Sequence, residues 1–94
     1  MTTVIEHQPD AHRYALLIDG RVVSVADYAI NGNSISFTHT YTQPQYRNRG
    51  LADRVVSFEM DDVEHNSTRR VVPMCWFIAD WFEAHPDRTG LLTR

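Results

Sequence analysis

The stretch from Ser34 to Thr42, SISFTHTYT, alternates small polar residues with larger side chains. A period of two residues is typical of a β-strand with one buried face. The larger residues all fall on one face of this strand: Ile35, Phe37, His39 and Tyr41. The pattern therefore predicts that His39 shares the apolar face.

Two similar stretches precede this strand, and a turn signal separates each from the next. Asp19-Gly20 and Asn31-Gly32 can both adopt the positive φ angles that tight hairpins require. Three strands joined in this way predict an antiparallel meander. Val4 to Gln8 is predicted to form a short strand before it.

Beyond Pro44 the apolar residues recur at helical spacing. The spacing predicts a first helix from Arg49 to about His65. Acidic residues on this helix are expected to face solvent: Glu59, Asp61, Asp62 and Glu64. A second helix is predicted over CWFIADWFEA, which ends before Pro86 because proline disfavours helical geometry in the residue that precedes it.

Between the two helices, RRVVP predicts a short buried strand that stops at Pro73. The aromatic residues of the second helix recur at helical intervals and are interpreted as core, although an exposed Trp could mark a partner surface: Trp76, Phe77, Trp81 and Phe82. The resulting order, ββββαβα, predicts an α+β fold with a mostly antiparallel sheet and helices packed on it. Residues 1–94 are expected to form a single domain.

Composition excludes several classes of protein. A formal net charge of −3 argues against broad binding to nucleic acid or to an anionic membrane. No apolar stretch approaches the length of a membrane span. A single Cys cannot form an internal disulfide, so a cytoplasmic location is expected. The five His residues lack the spacing of metal ligands, and no metal is expected.

Positive charge is concentrated where the first helix begins, at Arg47, Arg49 and Arg54, with Gly50 among them. The first turn of a helix leaves backbone N–H groups without partners, and the helix dipole favours an anion there. Gly50 allows a ligand to approach the backbone closely. The stretch is consistent with a pyrophosphate site, although an ordinary loop can have the same composition.

The segment YRNRGLA, residues 46–52, resembles the acetyl-coenzyme A motif of the Gcn5-related N-acetyltransferases, Arg/Gln-x-x-Gly-x-Gly/Ala. Two further motifs resemble a subgroup of very small members. His39-Thr40 matches a His-Thr pair that ends the preceding strand, and Pro73-x-Cys75-x-Phe77 matches Pro-x-Cys-x-Phe. The likeness extends from about Tyr14 to Phe82.

This resemblance implies the fold, the cosubstrate acetyl-coenzyme A and the residues that bind it. The implied binding residues are Tyr41, Thr42, Arg47, Asn48, Arg49, Gly50, Leu51 and Ala52. Asn48 stands where many members carry Gly, and Asn tolerates left-handed backbone geometry. In the family two central strands splay apart, so backbone N–H groups near Tyr41 and Thr42 are the expected donors to the thioester oxygen.

Cys75 and His39 are the candidate catalytic residues. Cys75 is expected at a helix N-terminus, where a thiol becomes more reactive, and His39 on the neighbouring strand could act as its base. Both residues also have a structural interpretation, because free Cys is commonly buried and a lone His is often a core residue.

The leading functional hypothesis is an acetyl-coenzyme A-dependent N-acetyltransferase that acts on an amine. The alternative is a coenzyme A or acyl-coenzyme A binding module without turnover that acts through protein partners. Many members have N-terminal helices that shape the acceptor site, whereas this chain begins with strands. An open acceptor pocket is therefore expected.

Overall fold

The computed structural model describes residues 2–94. Five strands and two α-helices follow in the predicted order. The strands are β1 (Thr3–Gln8), β2 (Arg13–Ile18), β3 (Arg21–Asn31), β4 (Ser34–Thr42) and β5 (Arg70–Pro73). The helices are α1 (Leu51–Asn66) and α2 (Trp76–Ala84). The α+β fold is therefore confirmed.

The five strands form one sheet in the order β1-β2-β3-β4-β5. The first four pair antiparallel, and β5 pairs parallel to β4. A parallel pair needs a crossover connection, which α1 supplies. The mostly antiparallel sheet was predicted, and the β4–α1–β5 crossover is its single parallel step.

Two tight turns join the strands of the meander. Asp19 and Gly20 have φ values of 50° and 81°, so the first turn lies where it was predicted. The second turn lies one residue later than predicted, because Asn31 stays in β3 while Gly32 and Asn33 form the turn. Gly32 supplies the positive φ, at 58°.

The hydrophobic core lies between one face of the sheet and the helices. From α1 it receives a stripe of apolar side chains that includes Val55, Val56 and Met60, all fully buried. From α2 it receives Ile78 and Trp81. No helix in residues 2–94 is long and apolar enough to cross a membrane.

A β-bulge interrupts the alternation of β4. Tyr28 pairs with Phe37, and Asp27 pairs with His39, so Thr38 is an extra residue between the two pairs. A residue inserted into one strand shifts every later side chain to the opposite face. The inward-facing series of β4 therefore changes from odd-numbered to even-numbered residues at Thr38.

His39 is the residue for which this shift matters most. Phe37 is fully buried on the helix-covered face, whereas His39 and Tyr41 are exposed. Their rings stack on each other with centroids 6.4 Å apart. The prediction that His39 shares the apolar face was wrong, and Thr40 continues that face instead.

A cleft at the splayed end of the sheet

A cavity of about 540 Å³ opens where the end of β4 meets the first turns of α1 and α2. β4 contributes Thr40 and Thr42, and the loop after it contributes Tyr46, Arg47, Asn48 and Gly50. The first turn of α1 and the start of α2 complete the wall with Leu51, Ala52, Asp53, Cys75, Trp76 and Phe77.

The cleft exists because β4 and β5 pair over only half of β4. Pairing runs from Ser34–Arg70 to Phe37–Pro73 and then stops. The last link is the Cys75 backbone N–H, which donates to the Phe37 carbonyl at 3.0 Å. From Thr38 onward, this edge of β4 has no β5 partner, as the predicted splay between the two strands requires.

The loop between β4 and α1 has the backbone geometry of an anion site. Asn48 and Gly50 both have left-handed φ values, 65° and 73°, as expected for Asn48 in place of Gly. Gly50 is the N-cap of α1, and its carbonyl accepts the first helical bond, from Arg54, at 3.1 Å. The N–H groups that precede Arg54 in the first turn have no acceptor within the helix. They lie beside the cavity, which Leu51 and Ala52 line.

Arginine side chains border this loop. The Arg47 Nε–H donates to the Thr42 carbonyl at 3.0 Å, and its guanidinium lies 5.8 Å from the centre of the Tyr41 ring. The Arg49 guanidinium lies 5.4 Å from the Tyr46 ring. Arg47 lines the cavity, whereas Arg49 is exposed outside the lining. Positive charge therefore lies at the mouth of the cleft, within reach of an anion at the helix start.

Most of the predicted site residues meet at this cavity. Those that line it are Thr42, Arg47, Asn48, Gly50, Leu51, Ala52 and Cys75. Three predicted residues lie outside the lining: His39, Tyr41 and Arg49. No group of three His, Cys, Asp or Glu side chains in residues 2–94 is arranged to hold a metal ion.

Cys75 is the N-cap of α2 and is half-buried in the wall of the cavity. Its thiol donates a weak hydrogen bond to the Thr40 hydroxyl oxygen, with an S···O distance of 3.7 Å. Because neighbouring strand residues point to opposite faces, His39 points away from the thiol. The structure thus brings Thr40 to Cys75, and it does not bring the predicted His39–Cys75 pair together.

Sequence reasoning also missed an aromatic wall. Trp76 was interpreted as core, but it is 73% exposed at the mouth of the cavity, and Phe77 lines the cavity beside it. Trp81 and Phe82 are buried as predicted. Trp76 and Trp81 are five residues apart, which is well over one helical turn. The spacing alone therefore places the two side chains on different faces of α2.

Sequence reasoning also misplaced Glu59. It was expected to face solvent, yet it is fully buried, and neither carboxyl oxygen has a hydrogen-bond partner. Burial, and then the negative charge of an ionised Cys75, raise the pKa of this carboxyl well above its usual value. The sequence did contain a signal, since Glu59 follows Leu51 and Val55 at intervals of four residues.

The geometry joins a helix start with free backbone N–H groups to an open strand edge that leads to a thiol. Such a cleft can hold a long ligand with a phosphate end and a narrow chain. The model of a family described as GCN5-related N-acetyl-transferase matches residues 13–91 of the chain. A search of curated proteins found no match. Because this match spans most of the sheet and both helices, the chain belongs to the GCN5-related N-acetyltransferase family.

Proposed function

We propose that the protein binds acetyl-coenzyme A in this cleft and transfers the acetyl group to an amine. The observation that carries the proposal is the position of the α1 N-terminus, which faces the cavity beside the unpaired edge of β4. The family match supports an acetyltransferase-type function, and the cleft supports the choice of cosubstrate.

The diphosphate would bind the free N–H groups at the start of α1. Gly50 has no side chain to obstruct this approach, and a Cβ there would have no atom within 4 Å, so the space is open. Arg47 would add positive charge from the rim. This arrangement matches the general preference of helix N-termini for phosphate groups.

The pantetheine arm would run along the edge of β4 that β5 leaves free. Backbone groups on an unpaired strand edge readily accept an extended ligand as a substitute strand. The thioester would then lie near Thr40 and Cys75, deep in the cleft. Backbone N–H groups near Tyr41 and Thr42 are proposed as the donors that stabilise the oxyanion.

In direct transfer, the amine nitrogen attacks the thioester carbonyl, the carbon–sulfur bond breaks, and coenzyme A leaves as a thiolate that takes up the amine's proton. In the two-step route, the Cys75 sulfur attacks the thioester carbonyl, the bond to the coenzyme A sulfur breaks, and coenzyme A leaves with the proton of the Cys75 thiol. The amine then attacks the acetyl-Cys75 carbonyl and releases Cys75, which takes up the amine's proton. Both routes use the same cleft. The position of Cys75 in the cavity wall, at the N-cap of α2, supports the second route.

A binding module without turnover would use the same cleft and is the second candidate. The observation that favours it is the open mouth of the cavity, where Trp76 is exposed and could contact a partner protein. The net charge of −3 does not favour nucleic acid or an anionic membrane as that partner. A single free Cys suits the reducing cytoplasm, where we propose that the protein acts.

Product formation separates the two candidates. The protein would be incubated with acetyl-coenzyme A and a panel of small amines, peptide N-termini and lysine peptides, and free coenzyme A and acetylated product would be quantified. An enzyme forms both in equal amounts. A binding module forms neither, although it still binds the cosubstrate, and in that case the transferase assignment is wrong.

A further inference from the structure

A second, smaller cavity of about 210 Å³ lies beside the cleft, between the start of α1 and α2. Three residues line both cavities: Asp53, Trp76 and Phe77. From this junction the smaller cavity continues along α2 toward its C-terminal end, where it is lined by Asp80, Trp81 and His85. A ligand in the cleft therefore has room to extend into the smaller cavity.

The walls of the two cavities differ in charge. Arg47 lines the larger cavity, whereas no Arg lines the smaller one and the chain contains no Lys. The smaller cavity instead has the carboxylates of Asp53 and Asp80 in its wall, and no salt bridge in residues 2–94 involves either. The smaller cavity thus favours a cation, while the helix start in the larger one favours phosphate.

The two carboxylates differ in what else explains them. Asp53 lies in the first turn of α1, where a negative side chain also stabilises the helix. Asp80 lies in the middle of α2, so no helix N-terminus accounts for its charge. It follows Trp76 by four residues, which is about 6 Å along the helix axis. A cation held by Asp80 would therefore lie about one helical turn from the junction with the cleft.

A free indole face borders the same cavity. Trp76 is mostly exposed, and its contact with Phe77 is edge-on. The Trp81 ring is covered by the stacked ring of His85, with centroids 4.0 Å apart, and by the Arg88 guanidinium at 5.8 Å. Two carboxylates of α1 pair with this guanidinium. Trp76 is therefore the aromatic surface open to a bound cation, and indole is the side chain that binds cations best.

His85 adds a hydrogen-bond acceptor at the far end of the cavity. Its Nδ1–H donates to the Trp81 carbonyl at 2.7 Å, since a carbonyl oxygen can only accept. In the neutral ring this bond fixes the lone pair on Nε2, which no hydrogen bond in residues 2–94 uses. An ammonium group has three N–H donors, which carboxylates and such a nitrogen accept. The cavity thus combines a charge, an aromatic face and an acceptor that together suit an ammonium group.

We propose that the smaller cavity binds a positively charged nitrogen of the acceptor, so that the acceptors are small diamines rather than monoamines. The acetyl transfer in this inference rests on the proposed function, whereas the cation site does not. One nitrogen, unprotonated, attacks the thioester carbonyl in the cleft, the carbon–sulfur bond breaks, and coenzyme A takes up the proton that the amine loses. The second nitrogen stays protonated beside Asp80 and Trp76 and takes no part in these bond changes.

Binding is measured without acetyl-coenzyme A, because the two tryptophans of the chain, Trp76 and Trp81, both line the cavity. Their fluorescence would be titrated with three probes of equal chain length. Cadaverine has two amines, pentylamine lacks the second one, and δ-aminovalerate has a carboxylate in its place. Cadaverine should bind about tenfold more tightly than pentylamine, and δ-aminovalerate should bind more weakly than either.

Asp80→Asn should weaken cadaverine binding about two- to fivefold and leave pentylamine binding unchanged. Glu83→Gln makes the same chemical change on α2 outside the cavity lining, and it should bind cadaverine as the wild type does. Equal affinities of the wild type for cadaverine and pentylamine would overturn the proposal, as would no response to cadaverine at millimolar concentration. An Asp80→Asn variant that binds cadaverine as tightly as Glu83→Gln would also overturn it.

Turnover separates this inference from the proposed function. With acetyl-coenzyme A, kcat/KM should be about tenfold higher for cadaverine than for pentylamine, and Asp80→Asn should narrow this ratio. If cadaverine binds selectively and no amine is acetylated, the transferase function fails and the cation site stands. If both amines are acetylated equally well, the transferase function stands and the preference for diamines is wrong.

Discussion

The thiol of Cys75 faces the hydroxyl of Thr40 at 3.7 Å, and the imidazole of His39 lies on the other face of the same strand. One extra residue, Thr38, causes this exchange. The His-Thr pair that marks this strand therefore contributes its threonine, rather than its histidine, to the wall of the cleft.

Thr40→Val and His39→Ala should have different effects on the thiol. Thr40→Val removes a hydroxyl that can donate to a forming thiolate, so alkylation of Cys75 near neutral pH is expected to slow several-fold, in line with about 1 kcal/mol for a lost hydrogen bond. His39→Ala should leave the alkylation rate unchanged because His39 is exposed on the far face. A slower reaction in His39→Ala alone would restore the histidine as the base.

Gly50→Glu should abolish binding of acetyl-coenzyme A while the protein still folds. The substitution places a negative side chain at the N-terminus of α1, where a phosphate would bind. It also introduces an L-residue at φ 73°, which costs about 1–2 kcal/mol. Isothermal calorimetry measures the binding, and urea unfolding measures the stability.

Gly32→Glu is the matched control for this substitution. Gly32 also has a positive φ and open space for a Cβ, but it lies in the turn before β4, at the opposite end of that strand from the cavity. Both variants should lose similar stability, and only Gly50→Glu should lose binding. Equal binding by the two variants would show that the anion site is elsewhere.

Arg47→Ala should weaken acetyl-coenzyme A binding by about tenfold, the size expected when one charge-assisted contact to a phosphate is lost. The dependence of affinity on salt should also become shallower, since one cation fewer meets the ligand. Arg21→Ala removes an exposed charge outside the cavity lining and serves as the control. Equal affinities of the two variants would remove Arg47 from the binding site.

Glu59 should make the protein less stable as the pH rises. Its pKa is raised in the folded state, so its stabilising contribution is fully present below the unfolded pKa of about 4.3 and is lost as pH passes through the folded value. Between these values the loss approaches 1.4 kcal/mol for each pH unit. Urea unfolding of Glu59→Gln and wild type over this range measures the difference.

The gap in stability between Glu59→Gln and wild type should therefore widen with increasing pH. Glu83→Gln should run parallel to wild type, because that residue is exposed. A constant gap between Glu59→Gln and wild type would mean that Glu59 is ionised, or neutral, in both the folded and unfolded states across the range.

Much of the fold followed from periodicity and turn chemistry. Alternation predicted the meander, and the Arg47–Ala52 motif predicted a helix start with an open backbone, which the left-handed Asn48 and Gly50 supply. These features are local, so one stretch of sequence suffices to predict them. The cleft between β4 and β5 was predicted only through resemblance to a family.

One error arose where a distant part of the chain decides, and two arose from reading single residues. The bulge at Thr38 depends on how β3 pairs with β4, and no residue of β4 alone indicates it. Glu59 was assigned to solvent from its charge, although its spacing from Leu51 placed it on the buried stripe. Trp76 was assigned to the core because the aromatic residues of α2 recur at helical intervals, although it borders an open cavity.

Calorimetric titration with acetyl-coenzyme A tests the central claim most directly. The account predicts one ligand per chain, competition by coenzyme A, and stabilisation of about 2.7 kcal/mol at a ligand concentration one hundred times the dissociation constant. The Gly50→Glu variant should show neither heat nor stabilisation. A wild-type protein that gives no binding heat and no change in unfolding free energy at millimolar acetyl-coenzyme A would contradict the account.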